Sequence, residues 1–415
     1  MIFQSRCLLK SPTLGRFLTL PALFCPLGAQ EAGQVLTEAQ AVARALARPE
    51  WQALTQLPAK QTEGAALEAR SWLSPGVEWT REQFNGIQPG KREDTFLLSQ
   101  SFDISGRRLA RRDAALRREE GGKAESEQRM AGVVAQVREA FYEVLVARER
   151  LARLEGSTSR VGRFQERVDR LHQAGEMSGL DRGRVRREVE LFRGREVVER
   201  SRLLQAEARL RSLLGGGLST VQGDLLPEPP APLDAYVAEH PSAPTTRMAL
   251  AQEAAAQSDA KAAGRWAPDL QLGLGVKRWQ EAGLTGNGNV FSLGLTFPTP
   301  GRVNAARVRG KAEARAASAQ ARLQREQDGA ELRALWQASV DLRASAERMA
   351  KEALADSGRV EAALDAAFAA GELDLLGRLD GTRSLLESEL TALDQAHAAR
   401  RTRIALDRLL GKVNP

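Results

Sequence analysis

The chain contains few of the residues on which metal, redox and nucleophilic sites depend. Only two of its 415 residues are cysteines, Cys7 and Cys25, and only three are histidines, His172, His240 and His397. Zinc and copper sites need several cysteine or histidine ligands at short spacing, which these positions do not provide. The sequence also has no phosphate-binding loop and no nucleophile motif. We therefore expect no metal site, no cofactor and no catalysis.

The chain also has no apolar run of the ~20 residues that a membrane-spanning helix requires. It begins with a basic segment that includes Arg6 and Arg16, and a short apolar core then ends in small residues. This arrangement predicts a signal peptide over residues 1–29 and an exported protein. Cleavage would remove both cysteines, although Cys25 as a lipid attachment site remains an alternative. If the mature chain crosses a membrane, it does so with strands, since these can satisfy their backbone groups in a closed barrel.

Charge of one sign is not in large excess. The 60 lysines and arginines exceed the 53 aspartates and glutamates by seven, and the two signs are interleaved at helical spacing. Such interleaving indicates solvated helix surfaces with many ion pairs. The basic balance permits a nucleic acid as partner, but the signal peptide argues against one, so no nucleic acid is expected.

Four short segments alternate strictly between apolar and polar residues. In the clearest, Leu270, Leu272, Leu274 and Val276 alternate with polar residues or glycine. This period of two predicts strands with one apolar face, and ~9–11 residues suffice for a tilted strand to cross a bilayer. The predicted strands are residues 77–84, 95–104, 269–279 and 289–298. The segments predicted to be turns, from their glycine, asparagine and proline content, are residues 85–94 and 280–289.

Long helical segments follow each pair of strands. Over residues 106–174 apolar residues recur at three- and four-residue steps around Phe141, which indicates a heptad seam. Breaks at Gly175–Asp181 and Gly371–Asp380 predict two helix–helix turns, because glycine adopts the left-handed conformation at little cost. Ser178 is expected to cap the helix that follows the first break.

The order of these signals repeats once along the chain. Pro268 precedes the third strand as Pro75 precedes the first, and Gly371-Glu372 corresponds to Gly175-Glu176, with offsets between 192 and 196 residues. This regularity indicates an internal duplication. The predicted repeats are residues 30–232 and 233–415.

The predicted strands set a requirement on assembly. Four strands are too few to close a barrel, and an open edge in lipid leaves backbone groups unsatisfied. Membrane-embedded strands therefore require several copies of the chain, and three copies would supply twelve strands. A narrow barrel that continues into long helices would form a conduit.

The succession of motifs resembles the TolC family of outer-membrane efflux proteins over essentially the whole mature chain, and more particularly its heavy-metal efflux branch. The motifs are LTEAQAVARALARPEW, QSFDISGRRLARRDAA, RLHQAGEMSGLDRGRVRREVEL, LLPEPPAPL, LGLTFPTPGRVNAARVRGKAEA and AFAAGELDLLGRLDGTRSLLESEL. The resemblance implies a mainly α fold with a membrane β-barrel, as a homotrimer. A twelve-stranded barrel would lie in outer-membrane lipid and continue into a periplasmic α-helical barrel.

The resemblance also implies a function and partners. The chain would be the exit duct of a tripartite efflux pump, with a periplasmic adaptor and an inner-membrane pump as partners and metal ions as the first expected cargo. In the family, the two turns contact the adaptor and form the closing constriction. The contact residues carried over are Gly175, Glu176, Ser178, Leu180, Asp181, Gly371, Glu372, Asp374, Leu375 and Leu376.

Two kinds of site residue are expected besides the contacts. Asp380 matches an acidic gate position of the family, where a ring of three carboxylates would attract cations. Gly377 occupies a position where the family often has a second acid, and this departure predicts a weaker or differently shaped gate. Trp79 and Trp279 are candidates for the aromatic girdle at the lipid–water interface, with ordinary packing at a strand end as the alternative. For Asp181, a simple helix cap is the alternative to a gate role.

Two other functions remain open from the sequence. A soluble periplasmic coiled-coil adaptor or scaffold would share the long helical hairpins, but it would lack two pairs of membrane-length strands. An outer-membrane duct for type I protein secretion or for organic drug efflux would share every feature described above, because none of these features identifies the cargo.

Overall fold

The computed structural model describes residues 35–84 and 90–413. The predicted signal peptide and both cysteines lie outside this part of the chain. Helix α1 spans Glu38–Leu46 and α2 spans Pro49–Arg70. Thr37 and Gln40 form a capping box at the start of α1, which satisfies two backbone N–H groups that have no partner inside the helix.

Four strands form one antiparallel sheet in the order β1-β2-β3-β4. Their bounds are Gly76–Phe84 for β1, Lys91–Asp103 for β2, Asp269–Glu281 for β3 and Leu284–Thr296 for β4. One row of the register runs across all four strands through Val77, Leu98, Leu274 and Phe291. All four of these side chains are exposed in the single chain. The sheet therefore has an apolar face that no other part of the described chain covers.

Two strands begin earlier than the sequence predicts. Residues 91–94 and 284–288, assigned to turns from their composition, belong to β2 and β4. The connection between β3 and β4 is only Ala282-Gly283, both with positive φ, a two-residue turn whose twist matches that of the strands. Asp94 accepts a hydrogen bond from Arg81 at 2.6 Å. Cross-strand pairing of this kind keeps polar segments in the sheet.

The remaining chain is almost entirely helical. The helices are α3 Arg107–Gln173, α4 Gly179–Leu214, α5 Leu233–Glu239, α6 Pro244–Ala263, α7 Pro300–Met349, α8 Ser357–Ala369 and α9 Leu375–Leu409. With 67 residues and a rise of ~1.5 Å per residue, α3 is about 100 Å long. A π-helical segment, Ala350–Leu354, separates α7 from α8. Among the described residues, no helix combines the length and hydropathy needed to cross a membrane.

The main apolar core joins both repeats. Val137 and Phe141 of α3 belong to one buried cluster with Leu210 of α4 and Ile404 of α9. The predicted seam on α3 is thus buried at these positions. Smaller clusters continue along the helices toward their far ends. The helices are rich in alanine and charged residues and have few large apolar side chains. The core therefore consists of a series of contacts along the helix seams.

A buried ionic network lies next to this core. The Arg138 side chain, 5% exposed, forms ion pairs with Glu38 of α1 and, at 3.0 Å, with Asp407 of α9. The Tyr142 hydroxyl donates a hydrogen bond to Glu38. Burial alone would lower the pKa of Arg138, but the two carboxylates raise it above its usual range. The network therefore keeps its charges while it links the first and last helices to α3.

Candidate functional site at the helical tips

The first tip turn, Gly175–Asp181, connects α3 to α4. Gly175 has a φ of 78°, and its N–H donates to the His172 carbonyl at 3.1 Å. The Glu176 N–H donates to the Leu171 carbonyl at 2.9 Å. This pair of bonds is the Schellman arrangement, which requires a left-handed residue and satisfies carbonyl groups at the helix end. Glycine at position 175 follows from that backbone geometry.

The second tip turn, Gly371–Asp380, has the same geometry 196 residues later. Gly371 has a φ of 75°. Its N–H donates to the Phe368 carbonyl at 3.3 Å, and the Glu372 N–H donates to the Ala367 carbonyl at 3.0 Å. Glu372 is exposed, as Glu176 is in the first turn. The two turns are therefore equivalent in backbone as well as in sequence.

The two turns differ in the residue that caps the next helix. Ser178 accepts a hydrogen bond from the Asp181 N–H at 3.1 Å, and its hydroxyl donates to the Asp181 carboxylate at 2.7 Å. In the second turn Asp374 is the cap and accepts from the Gly377 N–H at 2.7 Å. The second turn thus has no acid at Gly377, the position equivalent to Asp181, but it has one three residues earlier, at Asp374. Both carboxylates lie at a helix N-terminus, where negative charge is stabilised.

An ion pair closes each hairpin at the same place. Arg182 of α4 contacts Asp169 of α3 at 2.5 Å, and Arg378 of α9 contacts Asp365 of α8 at 2.7 Å. The two pairs are 196 residues apart. The Arg182 guanidinium lowers the pKa of the Asp169 carboxyl by its hydrogen bond. Sequence analysis missed these pairs, although the 196-residue offset aligns both partners.

Arg378 also links the two hairpins to each other. It is 3% exposed, and its guanidinium lies 5.3 Å from the centre of the Phe164 ring on α3. Phe164 and Phe368 of α8 are in an edge-to-face arrangement, with ring centres 5.0 Å apart. Aromatic pairs and cation–π contacts of this geometry are attractive beyond the area they bury. The tips are therefore held as one packed unit in the single chain.

The leucines at the turns fall into two classes. Leu180 is 66% exposed and Leu376 is 52% exposed, and they occupy equivalent positions in the two repeats. Leu375, which the resemblance included among contact residues, is instead buried in the cluster with Val168 and Leu379. The structure therefore corrects that assignment, because a core side chain is not available to a partner. Helical periodicity places adjacent leucines on different faces.

Asp380 is exposed on the second turn of α9. It contributes to the raised pKa of Arg383, whose main cause is a hydrogen bond to Glu188 of α4. The Arg383 Nε to Glu188 distance is 2.7 Å. Arg383 is thus engaged with α4, and Asp380 lies free on the surface among the described residues.

The two tryptophans predicted for the membrane interface lie on opposite faces of the sheet. Trp79 shares its row with Phe96 and Val276, at the limit of the apolar face, and stacks on Phe96 at 6.2 Å. Trp279 is three residues beyond Val276, so strand alternation places it on the other face, where it packs over Gly286. Trp79 thus lies at the limit of the apolar face and Trp279 packs on the opposite face, and an interface role for either stays a prediction.

Among the described residues, no group of three or more histidine, cysteine, aspartate or glutamate side chains is arranged to hold a metal ion. The tips are instead a set of exposed leucines and carboxylates on rigid, duplicated turns. Such a surface suits contact with another protein and passage of charged solutes.

Residues 80–216 match the family model described as outer membrane efflux protein. The cobalt-zinc-cadmium resistance protein CzcC of Cupriavidus metallidurans is 28% identical over 369 residues, which cover 85% of this chain and 84% of CzcC. The chain is thus similar to outer membrane efflux proteins, through the family model at residues 80–216 and through CzcC over most of its length. The predicted family, outer-membrane location and efflux role are thereby confirmed.

Two other known proteins are similar to this chain. The nickel-cobalt-cadmium resistance protein NccC of Alcaligenes xylosoxydans xylosoxydans is 24% identical over 241 residues, 57% of this chain and 54% of NccC. The solved structure of the channel protein CusC superimposes with a TM-score of 0.75 at 17% identity, covering 90% of this chain and 91% of that chain. This likeness confirms the predicted fold class of long helices with four strands per chain.

Proposed function

We propose that this efflux protein carries divalent transition-metal cations out of the cell as a passive duct. The observation that carries the proposal is the relation to CzcC and NccC, whose names specify resistance to cobalt, zinc, cadmium and nickel. The absence of a metal-holding cluster among the described residues fits a duct, because a tight site would retain the ion that must leave.

A homotrimer is part of the proposal. The apolar face of the sheet suits outer-membrane lipid, and the open edges at β1 and β4 require partners in lipid. Three chains would join these edges into a twelve-stranded barrel. The tips at the other end would contact a periplasmic adaptor, through which an inner-membrane pump delivers the cation. Leu180 and Leu376 are the proposed apolar contacts, surrounded by Glu176, Glu372 and Asp374.

Deletion of the gene in its native host is expected to lower the tolerated concentration of cobalt, zinc, cadmium or nickel. The measurement is a growth-inhibition panel of these metals, with copper and silver, beside lipophilic drugs, dyes and bile salts. We expect a plasmid copy of the gene to restore metal tolerance. Sensitivity to lipophilic compounds alone would refute the cargo and favour organic drug efflux. Sensitivity to neither class, with a change in secreted proteins, would favour type I secretion.

We further propose that Asp380 favours cations at the tip. At ~10 Å in water each charge contributes about 0.4 kcal/mol, so three protomers contribute about 1.2 kcal/mol. Because the charges lower the energy of a monovalent cation and raise that of an anion by the same amount, Asp380→Asn is expected to reduce the cation-to-anion permeability ratio roughly 60-fold. Reversal potentials in planar bilayers at low salt would measure this, since salt screens the effect.

Glu387→Gln is the matched control for Asp380→Asn. Glu387 is an exposed acid on the same helix, seven residues farther from the turn. We expect the cation-to-anion permeability ratio of Glu387→Gln to remain near that of the unmodified protein. An equal change in both variants would show a general effect of net charge and refute a gate at Asp380.

A further inference from the structure

Two exposed tryptophans that sequence analysis did not select lie beside the apolar face, one in each repeat. Trp72 is 71% exposed and meets Phe102 edge-on, with ring centres 6.3 Å apart. Trp266 is 54% exposed, and its ring centre lies 6.1 Å from that of Phe297. Phe102 pairs with Leu270 and so lies on the apolar face. Both tryptophans therefore mark the edge of that face nearest the helices, a position typical of the membrane–water interface.

Directly beyond these tryptophans lies a set of arginines that we call the basic collar: Arg108, Arg111 and Arg112 of α3 and Arg302 of α7. The Arg108 guanidinium lies 5.0 Å from the centre of the Trp72 ring. Neither α3 nor α7 has an acidic residue in its first turn. Helix N-termini carry partial positive charge and ordinarily favour negative side chains. Arginines concentrated at two helix N-termini add to that positive charge, so this region would attract an anion.

Three acids lie near the collar, Asp103, Asp269 and the exposed Glu68, and the first two are already engaged. Asp103 accepts hydrogen bonds from the Ser105 and Arg108 N–H groups, and Asp269 pairs with Arg107 at 2.5 Å. Arg111 and Arg112 are exposed. Within residues 35–84 and 90–413 neither guanidinium has a hydrogen-bond or ion-pair partner. Four arginines beside one free carboxylate, Glu68, leave the collar with a net positive charge within the described residues.

A cleft of about 660 Å³ opens at the collar. Its walls include Leu73, Phe102, Arg108 and Arg111, together with three carboxylates, those of Glu68, Asp103 and Asp269. Apolar side chains on the strand side are thus followed by guanidinium groups on the helix side. This succession matches a phospholipid, whose acyl chains continue into a phosphate.

We propose that the basic collar binds the phosphate groups of anionic phospholipids in the inner leaflet of the outer membrane. Guanidinium groups bind phosphate oxygens in a bidentate manner, and the tryptophans would lie at the level of the lipid ester groups. A lipid fits better than free phosphate because the collar is continuous with the apolar face of the sheet. The proposal rests on the outer-membrane location and not on the cargo.

The test uses purified full-length protein in micelles of an uncharged detergent. Binding of fluorescent phosphatidylglycerol is compared with binding of phosphatidylcholine that carries the same acyl chains. Each basic residue near an anionic surface contributes about fivefold in affinity, so Arg111→Gln with Arg112→Gln is expected to weaken phosphatidylglycerol binding about 30-fold. Arg111→Lys with Arg112→Lys, which keeps the charge, is expected to retain most of the binding.

The matched control removes two other exposed arginines, Arg153→Gln on α3 and Arg187→Gln on α4, far from the sheet. Unchanged phosphatidylglycerol binding in this control supports the proposal. Equal binding of the two lipids, an equal loss in the control, or displacement of phosphatidylglycerol by millimolar inorganic phosphate would overturn it. Metal tolerance of the host is measured separately, so failure of the lipid site is distinguishable from failure of the proposed cargo.

Discussion

Replacement of both Leu180 and Leu376 by aspartate is expected to abolish metal tolerance, to the level of the gene deletion. Both side chains are exposed at equivalent positions of the two tip turns. Burying a leucine against a partner contributes about 2 kcal/mol, and burying an unpaired carboxylate costs several kcal/mol more. In a trimer the change occurs at six positions, so the adaptor contact would be lost.

The measurement is growth in the metal panel, with immunoblots of the outer-membrane fraction to show that the variant is present in normal amount. Leu284→Asp is the matched control, because Leu284 is an equally exposed leucine at the start of β4, in the sheet and not at the helical tips. This control is expected to retain tolerance. Retained tolerance in the double tip variant, at normal protein level, would contradict an adaptor contact at these leucines.

Arg138→Met is expected to destabilise the fold by about 3–5 kcal/mol, because it leaves the carboxylates of Glu38 and Asp407 buried without their main partner. Asp407 is 5% exposed, and its other cation, Arg403, lies 3.3 Å away on the same helix. Loss of helical circular dichroism on heating would measure the effect. Less of the variant is also expected to reach the outer membrane.

Arg117→Met provides the control for this prediction. Arg117 is exposed on the same helix and, among the described residues, pairs only with Glu120, and exposed pairs of this kind contribute under about 1 kcal/mol. Adding Glu38→Gln and Asp407→Asn to Arg138→Met is expected to restore part of the stability, since no charge then remains unpaired. A triple variant no more stable than Arg138→Met would show that lost packing, and not lost charge pairing, causes the effect.

Local sequence patterns were sufficient to predict the secondary-structure elements and their duplication. Alternation at Leu270 to Val276 predicts a strand, and glycine at 175 and 371 predicts the left-handed turns, because both depend on neighbouring residues alone. The resemblance in motif order then led to the family, the fold class and the location in the outer membrane. Boundaries were less accurate where pairing overrides composition, as at residues 91–94 and 284–288.

The tertiary structure decided which residues of a motif are available. Leu375 and Leu376 are adjacent and chemically identical, yet one is buried and the other exposed. Trp79 and Trp279 are both candidates for the membrane interface by sequence, but alternation and register place them on opposite faces of the sheet.

The sequence by itself determined the repeated plan of two strand pairs and two helical hairpins, because period and turn chemistry are local properties of the chain. Only the tertiary structure decided the contacts between elements far apart in sequence. These include the Arg138 network, the Arg378–Phe164 contact between hairpins and the arginines gathered beside Trp72. Such contacts depend on how helices and strands pack in three dimensions, which no single segment specifies.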